Sequence, residues 1–418
     1  MVASIYLVLS LLGLLAAVNA VRPPLVDSPP TRRPPWLPVM LTTETTPLRL
    51  LWRGLLTAGA WQLGVLDSVI GQVALWITVT SSLLLLVALS RSLRSGGIIE
   101  RALTAGGVEH SAKGAIEWFR AVAAYPYRVP GDVERIEVEY APGLTVDIYR
   151  SRTHASSGPR PAIFQVHGGG WHGGNRRQSA RPLLHRTARH GWIGVAADYP
   201  LTPAATWPEP AVALKLALAW LKTEGAGFGI DPDAIVVTGS SAGAHLAAHL
   251  ALSSGDLSYQ PGFEHLDLSV AGAVPFYGIF DLLNRNHTRD PWPFIGIELM
   301  KSSARTDETR WRSASPLDLV RHDAPPFLII HGTHDSLVPA RESAQFAAVL
   351  GAASAGRVIH IELPGATHGF DVVESFRTHH AIAGVISFVT AITRTETDTE
   401  PPAPGQTRSR PTARRASC

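Results

Sequence analysis

Cysteine is almost missing from this sequence: of 418 residues only Cys418 is one. No disulfide can form within the chain, and neither a cysteine-based metal site nor thiol catalysis fits it. Charge is sparse as well. Charged residues make up 17% and hydrophobic ones 45%, a balance low for a purely soluble chain and suggestive of membrane segments. The formal net charge of +3 is small, and the basic residues are dispersed, mostly as arginine toward the two ends. That distribution argues against nucleic acid as a partner. No internal repeat is visible.

What the chain does have is uncharged apolar runs. Val2–Val21 is about the length that spans a bilayer. Ser68–Ser90, with Leu83–Leu86 at its heart and Asp67 and Arg91 as brackets, is a second. No Lys or Arg precedes the first run, so it lacks the basic start of a signal peptide, although Ala16–Ala20 leaves a cleavage-like site. We read residues 1–95 as a membrane-anchoring region with spans at about 2–21 and 68–90. The Pro/Arg segment from Arg22 to Pro38 reads as an extended linker. Leu48–Leu66, which carries Arg49 and Arg53, reads as an interfacial helix. Two spans put the N-terminus and the large domain on one side. The arginines between the spans (Arg22, Arg32, Arg33, Arg49, Arg53) outnumber those just after the second (Arg91, Arg94, Arg101). This favours the loop inside and the large domain outside, an extracytoplasmic placement. Residues 96–129 are expected to form an amphipathic connector or cap, and the Thr/Pro/Arg-rich tail 393–418 to be disordered.

From about residue 130 the pattern changes. Arg135–Tyr140 alternates apolar and charged residues, and Leu144–Tyr149 pairs with it across Pro142-Gly143, a hairpin signal. Ala162–Val166, Trp192–Ala197, Ala234–Thr238, Val270–Phe276, Phe327–Ile330 and Val358–Leu363 read as short strands. Ala211–Lys222, Glu342–Leu350 and Val372–Ala391 read as helices. Strands alternating with helices imply an α/β fold with a mostly parallel sheet covered by helices on both faces. We assign it to residues 130–392.

The sharpest local signal is Gly239-Ser240-Ser241-Ala242-Gly243, between an apolar β-branched run and an Ala/Leu/His run of helical spacing. Strand, sharp turn and helix would hold the Ser241 hydroxyl above the sheet edge, with Gly239 and Gly243 wherever a Cβ would collide. A serine needs a histidine base, and the base needs an acid to fix its tautomer. Asp335 follows the strand Phe327–Ile330, and His368 follows the strand Val358–Leu363, in the chain order serine, acid, histidine. The glycines of His167-Gly168-Gly169-Gly170-Trp171 can let backbone N–H groups converge on a small anion. Gly169 and Gly170, with Gly168, and the N–H of Ala242 are the candidate donors.

Taken together, His167–Trp171, Asp198–Pro203, Gly239–Gly243, His331–Asp335 and His368-Gly369-Phe370 resemble the hormone-sensitive-lipase branch of the α/β-hydrolases. More narrowly, the chain resembles membrane-anchored actinobacterial carboxylesterases of the Lip type. The resemblance spans about residues 130–392. It implies hydrolysis of short- to medium-chain carboxylic esters through an acyl-enzyme, with Ser241, His368 and Asp335 as the triad and no cofactor or metal. The partners implied are a small ester or lipid and the membrane. Ser240 and Ala244 stand where that branch often has an acid and a glycine, and Pro200 and Thr202-Pro203-Ala204 depart from its motif near Asp198. An amidase or arylformamidase, and a hydrolase-fold module that holds lipids without cleaving them, are the alternative functions.

Other readings compete at single positions. Gly168, Gly170 and Gly173 match a dinucleotide fingerprint, with Asp198 ending the next strand as a ribose-binding acid would. His245 and His249, at i and i+4, could be a zinc pair, though without a third ligand. Asp281 is an alternative triad acid, and His331 reads as a strand-end histidine. Trp171, Trp207 and Phe370 would line an acyl pocket or fill the core, and residues 284–313 would lie over the site as a lid.

Overall fold

The computed structural model of the chain describes residues 1–22, 35–110, 118–123, 129–153 and 158–393. Most of the expected Pro/Arg linker, parts of the expected connector or cap 96–129, and the tail from residue 394, Cys418 included, lie outside the described residues.

β-Branched and aromatic runs form one eight-stranded sheet: β1 (Val133–Ala141), β2 (Leu144–Ser151), β3 (Arg160–Val166), β4 (Ile193–Ala197), β5 (Ile230–Ser240), β6 (Gly272–Phe276), β7 (Phe327–Gly332) and β8 (Val358–Leu363). Their order is β1-β2-β4-β3-β5-β6-β7-β8. β1 and β2 form the antiparallel hairpin, β2 also runs antiparallel to β4, and every other pairing is parallel. The sheet is thus mostly parallel, as the alternating pattern implies.

The helices in chain order are α1 (Val2–Val21), α2 (Trp36–Glu44), α3 (Thr46–Gln62), α4 (Val69–Ala105), α5 (Trp118–Ala123), α6 (Arg181–Arg189), α7 (Glu209–Glu224), α8 (Ala242–Leu252), α9 (Glu308–Ser313), α10 (Arg341–Ala353) and α11 (Phe376–Thr393). Side chains alternate across the central strands. Phe164, Val166, Ile235, Val237 and Ile329 pack toward α7, α8 and α10. Ile163, Val236, Val274, Leu328 and Ile361 pack toward α11 and the C-terminal end of α4. Both faces are dry, which is why these strands are continuously apolar.

α4 differs from the reading of its sequence. The helix does not end with the apolar run at Ser90, nor with the anchoring region at residue 95; it is unbroken for 37 residues. Its last turns belong to the core of the α/β domain, with Ile99 and Leu103 fully buried beside α11. The last helix starts at Phe376 rather than Val372, because Phe370–Val372 forms a separate 3-10 turn.

The turn between β5 and α8 is fixed by close backbone packing. A Cβ on Gly243 would sit 2.2 Å from the Val166 carbonyl oxygen and 2.6 Å from that of His167. Gly243→Ala must therefore push α8 away from the end of β3, with a cost of roughly 1–3 kcal/mol. A lower thermal midpoint in detergent, relative to the parent chain, is the expected result.

Candidate active site

Ser241 occupies the tip of that turn. Its backbone stands at φ 57° and ψ −121°, a conformation that a non-glycine residue adopts only when its surroundings enforce it. The Ser241 N–H donates to the Phe276 carbonyl at the end of β6 (3.0 Å), and the Ser241 carbonyl accepts from Ala244 and His245 in α8. The turn is thus tied to a strand on one side and a helix on the other.

Asp335 and His368 are brought together from the ends of β7 and β8. His368 Nδ1 donates to Asp335 Oδ2 at 2.7 Å. Asp335 Oδ1 accepts from the N–H groups of Leu337 (2.9 Å) and Val338 (2.8 Å). Burial alone would raise the Asp335 pKa. The charge of His368, together with hydrogen bonds from His331 and His368, outweighs burial and holds it down at about 2. Asp335 is therefore a carboxylate at any ordinary pH. His331 is more than a strand-end residue: its Nε2 donates to Val338 O (2.8 Å) and lies 3.4 Å from Asp335 Oδ2.

Ser241 and His368 line one cavity of about 510 Å³, together with Gly168, Gly169 and Gly170. No hydrogen bond joins Ser241 to His368 among the described residues. The N–H groups of Gly169, Gly170 and Ala242 meet no acceptor among the described residues. Gly168, expected with them, instead donates its N–H to Ser179 Oγ (3.3 Å). Gly169 sits at φ 128°, and a Cβ there would lie 2.1 Å from the Gly173 carbonyl oxygen, so the loop turns only with glycine. His167 stacks on Tyr199 at 4.3 Å, and the Tyr199 hydroxyl donates to the His167 carbonyl, which anchors the start of the loop.

The residues behind the competing readings have other partners in the structure. Gly168–Gly173 opens no helix, since α6 begins at Arg181, and Asp198 is ion-paired with Arg176. His245 Nδ1 accepts from Trp171 Nε1 and its Nε2 donates to Ala314 O, while His249 Nε2 donates to Ser313 O and its Nδ1 meets Ser253 Oγ. All four ring nitrogens are used inside the protein, and the two Nε2 atoms pin residues 313–314 to α8. Asp281 is paired with Arg285. Trp171, Trp207 and Phe370 are buried and do not line the cavity.

Its apolar wall is built elsewhere. Trp292 and Phe294 come from the stretch 284–313, which does lie over the site, and Trp292 is shared with a neighbouring cavity of about 700 Å³. Two further aromatics line the Ser241 cavity, Tyr277 and Trp36, the latter at the start of α2. The Trp36 ring meets the His368 ring edge-on at 5.5 Å, and it packs on Gly369. No sequence pattern pointed to Trp36, which lies within the stretch read as a linker. Tyr277, whose ring centroid is 4.7 Å from that of His368, was missed as well; its hydroxyl donates to Asp371. None of the described residues of 96–129 lines the cavity.

The BD-FAE family model matches residues 146–350. The chain is 34% identical to the probable carboxylic ester hydrolase LipM of Mycobacterium tuberculosis, over 79% of this chain and 80% of that protein. It is 39% identical to esterase LipQ of the same organism, over 61% of this chain and 62% of that protein. Among solved structures, the butyrate-bound esterase 2 of Thermogutta terrifontis is similar with a TM-score of 0.54 and 25% identity, covering 64% of this chain and 97% of that one.

Proposed function

The chain belongs to the Lip-type carboxylic ester hydrolases of the α/β-hydrolase fold, and from that premise we propose that Ser241, His368 and Asp335 are its catalytic triad. The observation that carries this reading is a single cavity. Into it open a strained serine turn, a histidine held by a buried carboxylate, and the glycines Gly169 and Gly170, whose N–H groups have no acceptor among the described residues. The chain is an enzyme of the esterase class, so the reading as a lipid-holding module without activity falls away.

In the proposed reaction His368 Nε2 accepts the Ser241 proton as Oγ attacks the ester carbonyl. Gly169, Gly170 and Ala242 donate to the oxyanion that forms. The imidazolium, stabilised by Asp335, returns the proton to the departing alcohol. Water, deprotonated by the same histidine, then releases the acid from Ser241. We place the substrates among short- to medium-chain acyl esters, in keeping with the cavity's size and its apolar wall of Trp36, Trp292 and Phe294. The related esterase holding butyrate, a short-chain acid, supports the same range. Residues 130–392 form the catalytic unit in this reading. α1 and α4, the two helices among the described residues that are long and apolar enough by composition to cross a bilayer, hold the enzyme in a membrane.

The test is labelling of the detergent-purified full chain by a fluorophosphonate, followed by peptide mapping. The adduct is expected on Ser241, and labelling elsewhere or not at all would overturn the assignment. A second outcome concerns specificity. Trp36→Ala enlarges the cavity beside His368, and kcat/KM for a p-nitrophenyl ester series is expected to move toward longer chains, by about tenfold at the new optimum. An unchanged profile would remove Trp36 from the acyl wall.

A further inference from the structure

We propose that residues 1–91 cross the membrane three times, and that the hydrolase domain lies on the cytoplasmic side. The sequence supplies two obvious spans; the third crossing follows from how the helices run. Ser10 Oγ meets Thr78 Oγ1 at 2.9 Å, and Arg91 Nη1 donates to the Val21 carbonyl at 2.8 Å. Positions rise together along α1 and α4, so these helices are parallel. Two parallel spans require a return path between them, and α3 provides it. Arg53 Nη2 donates to the Gly13 carbonyl at 2.6 Å, while Tyr6 Oη meets Thr57 Oγ1 at 3.0 Å. Positions rise along α3 as they fall along α1.

The ends of α3 agree with that direction. α2, just before α3, is fastened to the hydrolase domain, with Glu44 buried against Arg377 and accepting from Ser375 Oγ. The far end of α3 leads to Val65, which packs with Tyr6 and Ala74 at the outer end of the bundle.

α3 is built to face lipid. It exposes Leu48, Leu51, Trp52 and Leu55, with Trp52 60% exposed. Its Arg53 turns inward, toward the polar seam of Tyr6, Ser10, Thr78 and Ser81. An apolar outside around a polar inside is the pattern of a helix within a bilayer. Seventeen residues rise about 25 Å, short of the roughly 30 Å hydrocarbon core but within reach of local thinning and of Arg49 snorkelling at the domain end. The buried stripe of α4 keeps small residues at the helix seam at Gly71, Ala74, Thr78, Ser81 and Ala88, with Leu85 the one large side chain between them.

Three crossings regroup the arginines. Arg22, Arg91, Arg94 and Arg101 all stand at the domain end, whereas the outer end (residues 1–9 and 62–70) has no Lys or Arg and carries Asp67. Positive charge stays in the cytoplasm, so the domain does too. The opposite placement expected from sequence counted Arg22 to Arg53 as one far-side loop, which the helix directions rule out.

The test uses the full chain in spheroplasts and a membrane-impermeant maleimide. Native Cys418 reports the domain side. Gln62→Cys in a Cys418→Ser background reports the outer end, with Leu63→Cys as a second reporter there should the first not fold. Expected is labelling of the outer reporters on intact spheroplasts and of Cys418 only after lysis. Both labelled from one side would overturn three crossings, and the inverse pattern would overturn the cytoplasmic placement. A purified chain lacking residues 1–20 would overturn both, since α1 would then be a cleaved leader. Hydrolysis of p-nitrophenyl butyrate by each variant, as fast as by the parent, certifies its fold and keeps the outcome independent of the triad assignment.

Discussion

Ser241→Ala is expected to lower kcat for a p-nitrophenyl acyl ester by roughly four to six orders of magnitude, with KM little changed. The hydroxyl is the only group removed, and in the proposed mechanism nothing else can form the acyl-enzyme. The fold should survive the change. The Ser241 backbone, not its side chain, makes the bonds to Phe276, Ala244 and His245 that hold the turn. Alanine keeps the Cβ and meets the same φ of 57° at the same strain. Melting temperature should therefore stay close to that of the parent, while fluorophosphonate labelling disappears. The residual rate would measure what Gly169, Gly170 and Ala242 contribute by themselves, since they can still polarise a bound carbonyl for attack by water. Full activity in a purified Ser241→Ala enzyme would end the triad assignment.

The parts of the site visible in the sequence are those whose signals are local. A strand, a glycine-flanked serine and a helix within Ala234–Ala248 carry their own geometry, because the collision of a Cβ at Gly243 with Val166 is written in the residue type. Asp335 and His368 are each announced by the strand before them, and parallel strands place their C-terminal ends along one edge. What was not visible depends on contacts between distant elements. Trp36 has no periodic or motif context, and only the packing of α2 on Gly369 brings it to His368. Commitment of the Gly168 N–H to Ser179 depends on how the loop after Trp171 folds back. The course of α3 escaped detection because Arg49 and Arg53 lower its apparent hydropathy. Only the Gly13 carbonyl, on another helix, shows that one of these charges points inward. Trp171 and Trp207 were ambiguous for a related reason: a large aromatic reads the same in a core or in a pocket, and His245 and His249 decide it by gathering both indoles inward.

Asp335→Asn is expected to cost about four orders of magnitude in kcat, although it is nearly isosteric. The introduced amide can keep its oxygen on the Leu337 and Val338 N–H groups, which bind Oδ1 in the parent. Its NH2 then faces His368 Nδ1 where a carboxylate oxygen accepts at 2.7 Å in the parent. Two donors cannot share that space, so the imidazole shifts its proton to Nε2 and presents no lone pair to Ser241. Stability should respond with a definite sign. Asp335 titrates at about 2 in the folded chain against 3.8 for a free aspartate, so its ionised form stabilises the fold. That contribution, about 2–3 kcal/mol, is complete above the unfolded pKa and is lost as pH falls toward about 2. Parent and variant should therefore differ most in thermal midpoint at neutral pH and converge between about pH 4 and 2. A gap that stayed constant through that window would mean that packing, rather than charge, sets the worth of Asp335. A drop in kcat with no such convergence would separate its role in orienting His368 from its role in holding the fold.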